Sequence, residues 1–320
     1  MLKGKLSKVM LFCLMLMTAL FVTGCGDDGK KEAQFLNIAT GGTAGTYYPI
    51  GGAMAEILNS SIEGMNASAQ STGASVSNIN ILQDGTVDLA IVQNDIAFYA
   101  SKGIEMFQNA NKMENLRAIA ALYPETCQII TFEKNGINTV ADFKGKKIAV
   151  GAAGSGVEAN ARQIMAAYGI TYNDIEVQYL SFSEAANALK DGNIDAAFVT
   201  AGYPTAAVQD IASQNKIKLI PIDADKADAL IKEYPFYTKT NIPSGTYAGV
   251  DTDVPTIAVM AMLITTDKMS DQLGGDIAKA IFSNLDRLKT AHSAAAMISK
   301  EKATEGLPIK MNGGAEKFFK

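Results

Sequence analysis

One pattern occurs twice in this chain. Residues 84–92, Asp-Gly-Thr-Val-Asp-Leu-Ala-Ile-Val, align with residues 191–199, Asp-Gly-Asn-Ile-Asp-Ala-Ala-Phe-Val, at an offset of 107. Gly42-Thr43-Ala44-Gly45-Thr46 aligns with Gly151-Ala152-Ala153-Gly154-Ser155 at an offset of 109. Asp-Gly alone is only a common helix stop. Two motifs in the same order at nearly one offset point instead to a repeated structural unit. In the first copy, hydrophobic periodicity predicts strands at 35–40, ending at 70, and at 87–92, with helices at 47–59 and around Val76, Ile79 and Leu82. In the second it predicts strands at 147–150, 175–180 and 194–199, with helices at 157–168 and 183–189. Each copy reads βαβαβ, the signature of a mostly parallel sheet with helices on its faces. The expected fold class is therefore α/β with two similar lobes. The C-terminal third reads as a return to the first lobe, with a strand at 255–265, helical patterns at 267–289 and 291–305, and a short last helix at 313–320.

Both glycine loops run from a strand into a helix. A helix start offers unpaired backbone N–H groups and a partial positive charge, and glycine lets a guest come close to the backbone. Hydroxyls at Thr43, Thr46 and Ser155 add donors that can also cap the helices. Such a loop suits an anion. No GxxxxGK[ST] occurs, so neither is a P-loop. Gly151-x-x-Gly154-x-Gly156 matches a dinucleotide loop only loosely, and Glu176 opens its strand, where a ribose-binding acid closes one. Ligands of open α/β sheets bind beyond the carboxyl ends of the strands. If the lobes face each other, the two loops share one cleft, and a small carboxylate fits that gap better than a dinucleotide. The alternative is a pair of tight strand–helix turns with no guest.

The first residues are set aside from fold reasoning. Lys3, Lys5 and Lys8 form a basic start, 9–22 is apolar but short for a membrane span, and Val22-Thr23-Gly24-Cys25 resembles a bacterial lipobox. On that reading 1–24 is a lipoprotein signal peptide, Cys25 carries lipid, and 25–34 is a polar tether. The chain would then be extracytoplasmic and lipid-anchored to the cell membrane. The alternative is an ordinary signal peptide with a chance cysteine. Removing 1–24, with its three lysines and no acid, takes the formal net charge from -5 to -8, which argues against a nucleic-acid partner. Cys127 is left as the single cysteine beyond Cys25, so neither a disulfide framework nor a CxxC metal pattern is expected; it reads as a buried strand residue. No cofactor is expected.

Gly41-Gly42-Thr43-Ala44-Gly45-Thr46-Tyr47-Tyr48-Pro49 resembles the opening of the TAXI family, the solute receptors of TRAP transporters. Val92-Gln93-Asn94-Asp95, Leu122-Tyr123-Pro124-Glu125, Gly154-Ser155-Gly156-Val157-Glu158, Gly202-Tyr203-Pro204-Thr205 and Tyr247-Ala248-Gly249 are similar to that family in the same order, from about residue 35 to the end. The resemblance implies a two-lobed, type II periplasmic-binding-protein-like fold with the ligand between lobe 1 (35–132 plus 254–320) and lobe 2 (133–253). It implies a non-enzymatic receptor that closes on a small acid, such as glutamate, glutamine or a related amino or oxo acid, and delivers it to TRAP membrane permease subunits. Two departures stand out. Val157 replaces a frequent threonine, and Lys310-Met311-Asn312-Gly313-Gly314-Ala315 replaces a histidine-containing pattern.

The candidate ligand-binding residues are Gly42, Thr43, Thr46, Tyr47, Gln93, Asp95, Tyr123, Ser155, Gly156, Val157, Glu158 and Tyr203. Thr46, Ser155 and Gly156 would hold a carboxylate, or the hydroxyls only cap helices. Tyr47 either touches the ligand or packs in the core. Gln93 follows a buried strand, a position favouring a polar contact. Asp95 or Glu158 would hold an ammonium, or each only answers its helix dipole. Tyr123 would end a strand and line the cleft, Glu125 is a hinge contact or a solvated turn, and Tyr203 is the second lobe's hydroxyl. Two other readings compete. A sensor for a membrane kinase would use the same site. A hydrolase would need Ser155 as nucleophile with His292, the single histidine, as base, without a GxSxG elbow.

Overall fold

The structure is a computed structural model that describes residues 33–320. The signal segment, Cys25 and nearly all of the 25–34 tether lie outside the described residues. The two βαβαβ units are present. In the first, β1 (Gln34–Ala39), α1 (Tyr47–Ser61), β2 (Met65–Gln70), α2 (Ser75–Gln83) and β3 (Leu89–Gln93) make a parallel trio in the order β2-β1-β3, and α3 (Asn94–Lys102) follows directly. In the second, β5 (Lys147–Ala149), α4 (Gly156–Ala167), β6 (Glu176–Gln178), α5 (Phe182–Lys190) and β7 (Ala196–Ala201) make the equivalent trio, β7-β5-β6. The repeat reaches individual hydrogen bonds. Asp88 Oδ2 accepts from the Asn37 backbone N–H at 2.8 Å, and Asp195 Oδ2 accepts from Lys147 N–H at 2.8 Å. In both copies the Asp-Gly step ends a helix through a left-handed glycine, Gly85 (φ 75°) and Gly192 (φ 74°), and the next aspartate pins the third strand against the first.

Two long strands join the trios. β4 (Leu116–Phe132) and β10 (Val254–Thr266) run antiparallel to each other in the middle of a ten-stranded mixed sheet. The C-terminal half of β10 pairs with β3 of the first trio. Its N-terminal half pairs with β9 (Thr238–Ile242). β4 passes from β10 to β7 and to β8 (Ile217–Leu219). The result is an α/β fold of two lobes, each with its own parallel sheet, sharing two strands.

Alternation along the strands explains why each lobe has helices on both faces. Ile38 and Ile91 face α1 and α8 (Asp271–Phe282), whereas Ala39, Ala90 and Val92 face α2 and α3. In the second lobe Ile148, Ala196 and Phe198 face α4 and α7 (Ala224–Glu233), and Ala149, Ala197 and Val199 face α5 and α6 (Ala206–Gln214). Each fully buried isoleucine contributes about 1.5–3 kcal/mol.

Two readings of the chain need correction. The strand does not end at Tyr123: β4 continues through Pro124 and Glu125 to Phe132. Proline cannot donate to a ladder, and the irregular register between Met260 and Met262, opposite Pro124, accommodates it. The tail is also less helical than its periodicity suggests. α8 stops at Phe282, α9 (Leu285–Ala291) is short, and 293–297 is a 3-10 turn followed by irregular chain to α10 (Gly313–Phe319). Cys127 is buried in β4, where desolvation pushes its thiol up to about 12. No helix among the described residues is long and apolar enough to cross a membrane.

Candidate ligand-binding site

Helices that follow parallel strands all start at the strands' carboxyl ends, so the duplicated topology aims several helix starts at one place. One cavity collects five of them. Thr46 and Tyr47 bring the start of α1, Ala74 and Ser75 that of α2, and Gln93 that of α3. Ser155 and Gly156 bring the start of α4, and Ser181 and Phe182 that of α5. The cavity volume is about 60 Å³, which suits a small solute.

The starts of α1, α2 and α3 have no side-chain cap. Their partial positive charges are therefore not answered by their own capping residues. Ser155 differs, because its Oγ accepts from Glu158 N–H at 3.3 Å and serves α4. Ser181 caps α5 in a reciprocal box with Glu184. None of the described residues lining the cavity is Lys, Arg or His, so an anion placed there would meet backbone dipoles and hydroxyls and no cationic side chain.

Among the described residues lining the cavity the one acidic side chain is Glu125, which reaches it because β4 runs on past Pro124. It is 2% exposed, and Tyr47 donates its hydroxyl to Glu125 Oε2 at 2.7 Å. Burial pushes the Glu125 carboxyl well above the usual range; the Tyr47 hydrogen bond opposes this, and the nearby Asp95 adds to it. The Tyr47 hydroxyl is itself held well above its ordinary value, by burial first and by Glu125 second. Ser75 Oγ accepts from Gln93 N–H at 3.1 Å and positions the end of β3. Gln93 is buried, and its Oε1 has no hydrogen-bond partner.

Seven of the twelve sequence candidates line this cavity: Gly42, Thr46, Tyr47, Gln93, Ser155, Gly156 and Val157. The other five lie elsewhere. Thr43 is exposed on the first loop. Asp95 is buried in the first turn of α3, where Asn160 Nδ2 donates to its Oδ2 at 3.2 Å and desolvation raises its carboxyl to about 7. Tyr123 is buried in β4 with its hydroxyl unpartnered. Glu158 accepts from the Tyr172 hydroxyl at 2.6 Å and pairs with Arg162 at 3.6 Å, so its carboxylate is already occupied. Tyr203 is half-buried against the second lobe's core. Sequence reasoning passed over Ser75, Ser181 and Phe182 and set Glu125 aside. Ser181-x-x-Glu184 was a readable capping box; Ala74, which starts α2 at φ 70°, gives no cap signal.

Ser155 and His292 do not form a nucleophile–base pair. Ser155 Oγ caps α4, and His292 Nδ1 accepts from Ala294 N–H at 3.1 Å at the end of α9. Among the described residues no group of three or more His, Cys, Asp and Glu could hold a metal ion.

The two-lobed sheet with a cavity between the strand ends defines the periplasmic binding-protein fold. The structure of PhnD1 from Prochlorococcus marinus in complex with methylphosphonate matches with a TM-score of 0.56 at 9% identity, over 84% of this chain and 92% of that one. The alkanesulfonate-binding protein SsuA from Xanthomonas axonopodis pv. citri, bound to MOPS, matches with a TM-score of 0.52 at 16% identity, over 90% and 84%. A putative L-cystine ABC transporter protein from Listeria monocytogenes matches with a TM-score of 0.50 at 16% identity, over 85% and 99%. The chain belongs to the NMT1-like family, whose model matches residues 38–320.

Proposed function

We propose that this chain is the extracytoplasmic solute receptor of a membrane transporter and binds a small carboxylate by closure of its two lobes. The observation that carries this reading is the convergence of five helix starts on one small cavity without a cationic side chain. Contacts across the cavity support closure as the working motion. Ser77 N–H donates to Gly154 O at 3.0 Å, and Ala207 N–H donates to Ala44 O at 3.3 Å. The lobes are 35–132 plus 254–320 and 133–253, with β4 and β10 crossing between them. A bound anion touching both sides would shift the population toward the closed form.

The structural neighbours include proteins that bind small anions or serve ABC-type import, which favours a receptor over an enzyme on this fold. The TAXI resemblance makes a TRAP-type permease the partner, and glutamate or a related amino or oxo acid the ligand. Lipid on Cys25 would keep the receptor beside that permease.

Calorimetric titration with a panel of short carboxylates, combined with small-angle scattering, tests the proposal. At least one member should bind with measurable compaction, seen as a smaller radius of gyration. If no small carboxylate binds, the reading fails.

A further inference from the structure

Resting on that receptor reading, we propose that Glu125 determines specificity by selecting a ligand that carries an ammonium group, so that the solute is an amino-acid zwitterion and not an oxo acid or a simple anion. Five helix starts favour negative charge, yet the one acidic side chain among the described residues lining the cavity is Glu125, which brings negative charge there when it ionises. A plain anion would meet both. A zwitterion separates them, placing its carboxylate on the helix starts and its ammonium on Glu125.

The hydrogen-bond inventory agrees. A carboxylate has about four acceptor positions. Glu125 receives one donor, the Tyr47 hydroxyl on Oε2, and among the described residues its other oxygen receives none. Gln93 also lines the cavity, with its Oε1 buried against Gly156 and unpartnered. Buried acceptors without donors are costly, and a buried charge without a partner more so. An ammonium brings three N–H donors and the compensating charge to Glu125. An oxo acid offers its carbonyl oxygen at the same place, another acceptor facing acceptors. Burial alone disfavours ionised Glu125; a partner ammonium restores it.

The position of Gln93 is enforced. It ends β3, its backbone N–H is held by Ser75, and its side-chain amide packs onto the bare Cα of Gly156, where a methyl group would overlap it. Gln93 is thus held against the start of α4, the same start that would receive the ligand's carboxylate.

The test is calorimetry on the purified protein and on Glu125→Gln with two matched pairs: L-alanine with pyruvate, and L-glutamate with 2-oxoglutarate. In the parent protein the amino member of the pair that binds should be at least tenfold tighter than its oxo partner. Glu125→Gln, which keeps shape and removes charge, should weaken the amino member at least tenfold and leave the oxo member unchanged or tighter. An oxo acid that binds as tightly as its amino partner, or a Glu125→Gln protein that keeps its amino-acid affinity, overturns the assignment while the receptor reading stands. If neither pair binds, the assignment is overturned, and the wider carboxylate panel decides separately whether the receptor reading survives. If Glu125→Gln does not fold, the comparison within pairs on the parent protein decides alone.

Discussion

Thr46 Oγ1 donates to the carbonyl oxygen of Gly202 at 2.9 Å, a bond between buried groups 156 positions apart. Thr46 stands where α1 would take its cap, yet it makes no cap bond; its hydroxyl joins the first lobe to the loop after β7. Thr46→Val keeps the shape and removes one of two donors to Gly202 O, which still accepts from Thr205 Oγ1 at 3.0 Å. The closed form should lose about 0.5–1.5 kcal/mol. Scattering should show a larger radius of gyration without ligand, and ligand affinity should fall by roughly two- to tenfold.

Gly156→Ala puts a methyl group into the Gln93 amide at the mouth of α4. Overpacking of this kind costs about 1–3 kcal/mol. Ligand affinity, measured by titration, should fall more than the melting temperature does. Gly52→Ala is the contrast. It lies in α1 with nothing within 4 Å of the added carbon, and should leave binding unchanged while stabilising the helix by about 0.5–1 kcal/mol.

Gly314→Ala tests a contact remote from the cavity. The new methyl group would overlap the backbone oxygen of Asp271, where α10 packs on the start of α8. Both partners are backbone, so neither can swing aside. Urea denaturation should show a loss of about 3 kcal/mol or more.

Asp95 sets a pH dependence. Its folded-state carboxyl is raised from 3.8 to about 7, so the native state holds a proton that the unfolded chain has already lost. The stability it confers is present below about pH 4 and is lost as pH rises through 7, by at most on the order of 4 kcal/mol. Glu125 is shifted in the same direction and adds the same sign. The melting temperature should therefore fall between pH 5 and pH 8 through these groups, and Asp95→Asn should flatten the profile.

The repeated unit was legible because strand–helix alternation and the Asp-Gly stops are local, and local signals survive without knowledge of partners. The two glycine loops were legible for the same reason, and Thr46, Ser155 and Gly156 do line one cavity. Glu125 was not, because Tyr-Pro-Glu reads as a turn unless the register irregularity of β10 opposite Pro124 is known. Asp95 and Glu158 were equally plausible as acids for a ligand. Only the tertiary contacts separate them, placing one against Asn160 and the other against Tyr172 and Arg162. The tail kept its apolar spacing but broke at Ser283 and Asn284, where residues that favour caps outweigh periodicity.

The shared strands β4 and β10 act as a leaf spring. Each contributes backbone pairing to both sides, so the proposed opening would flex two coupled ribbons where a single linker would swivel. Each parallel trio is then bounded on its inner side by shared strands, and expressing one half without the other would expose raw edges and strand the halves as aggregation-prone fragments.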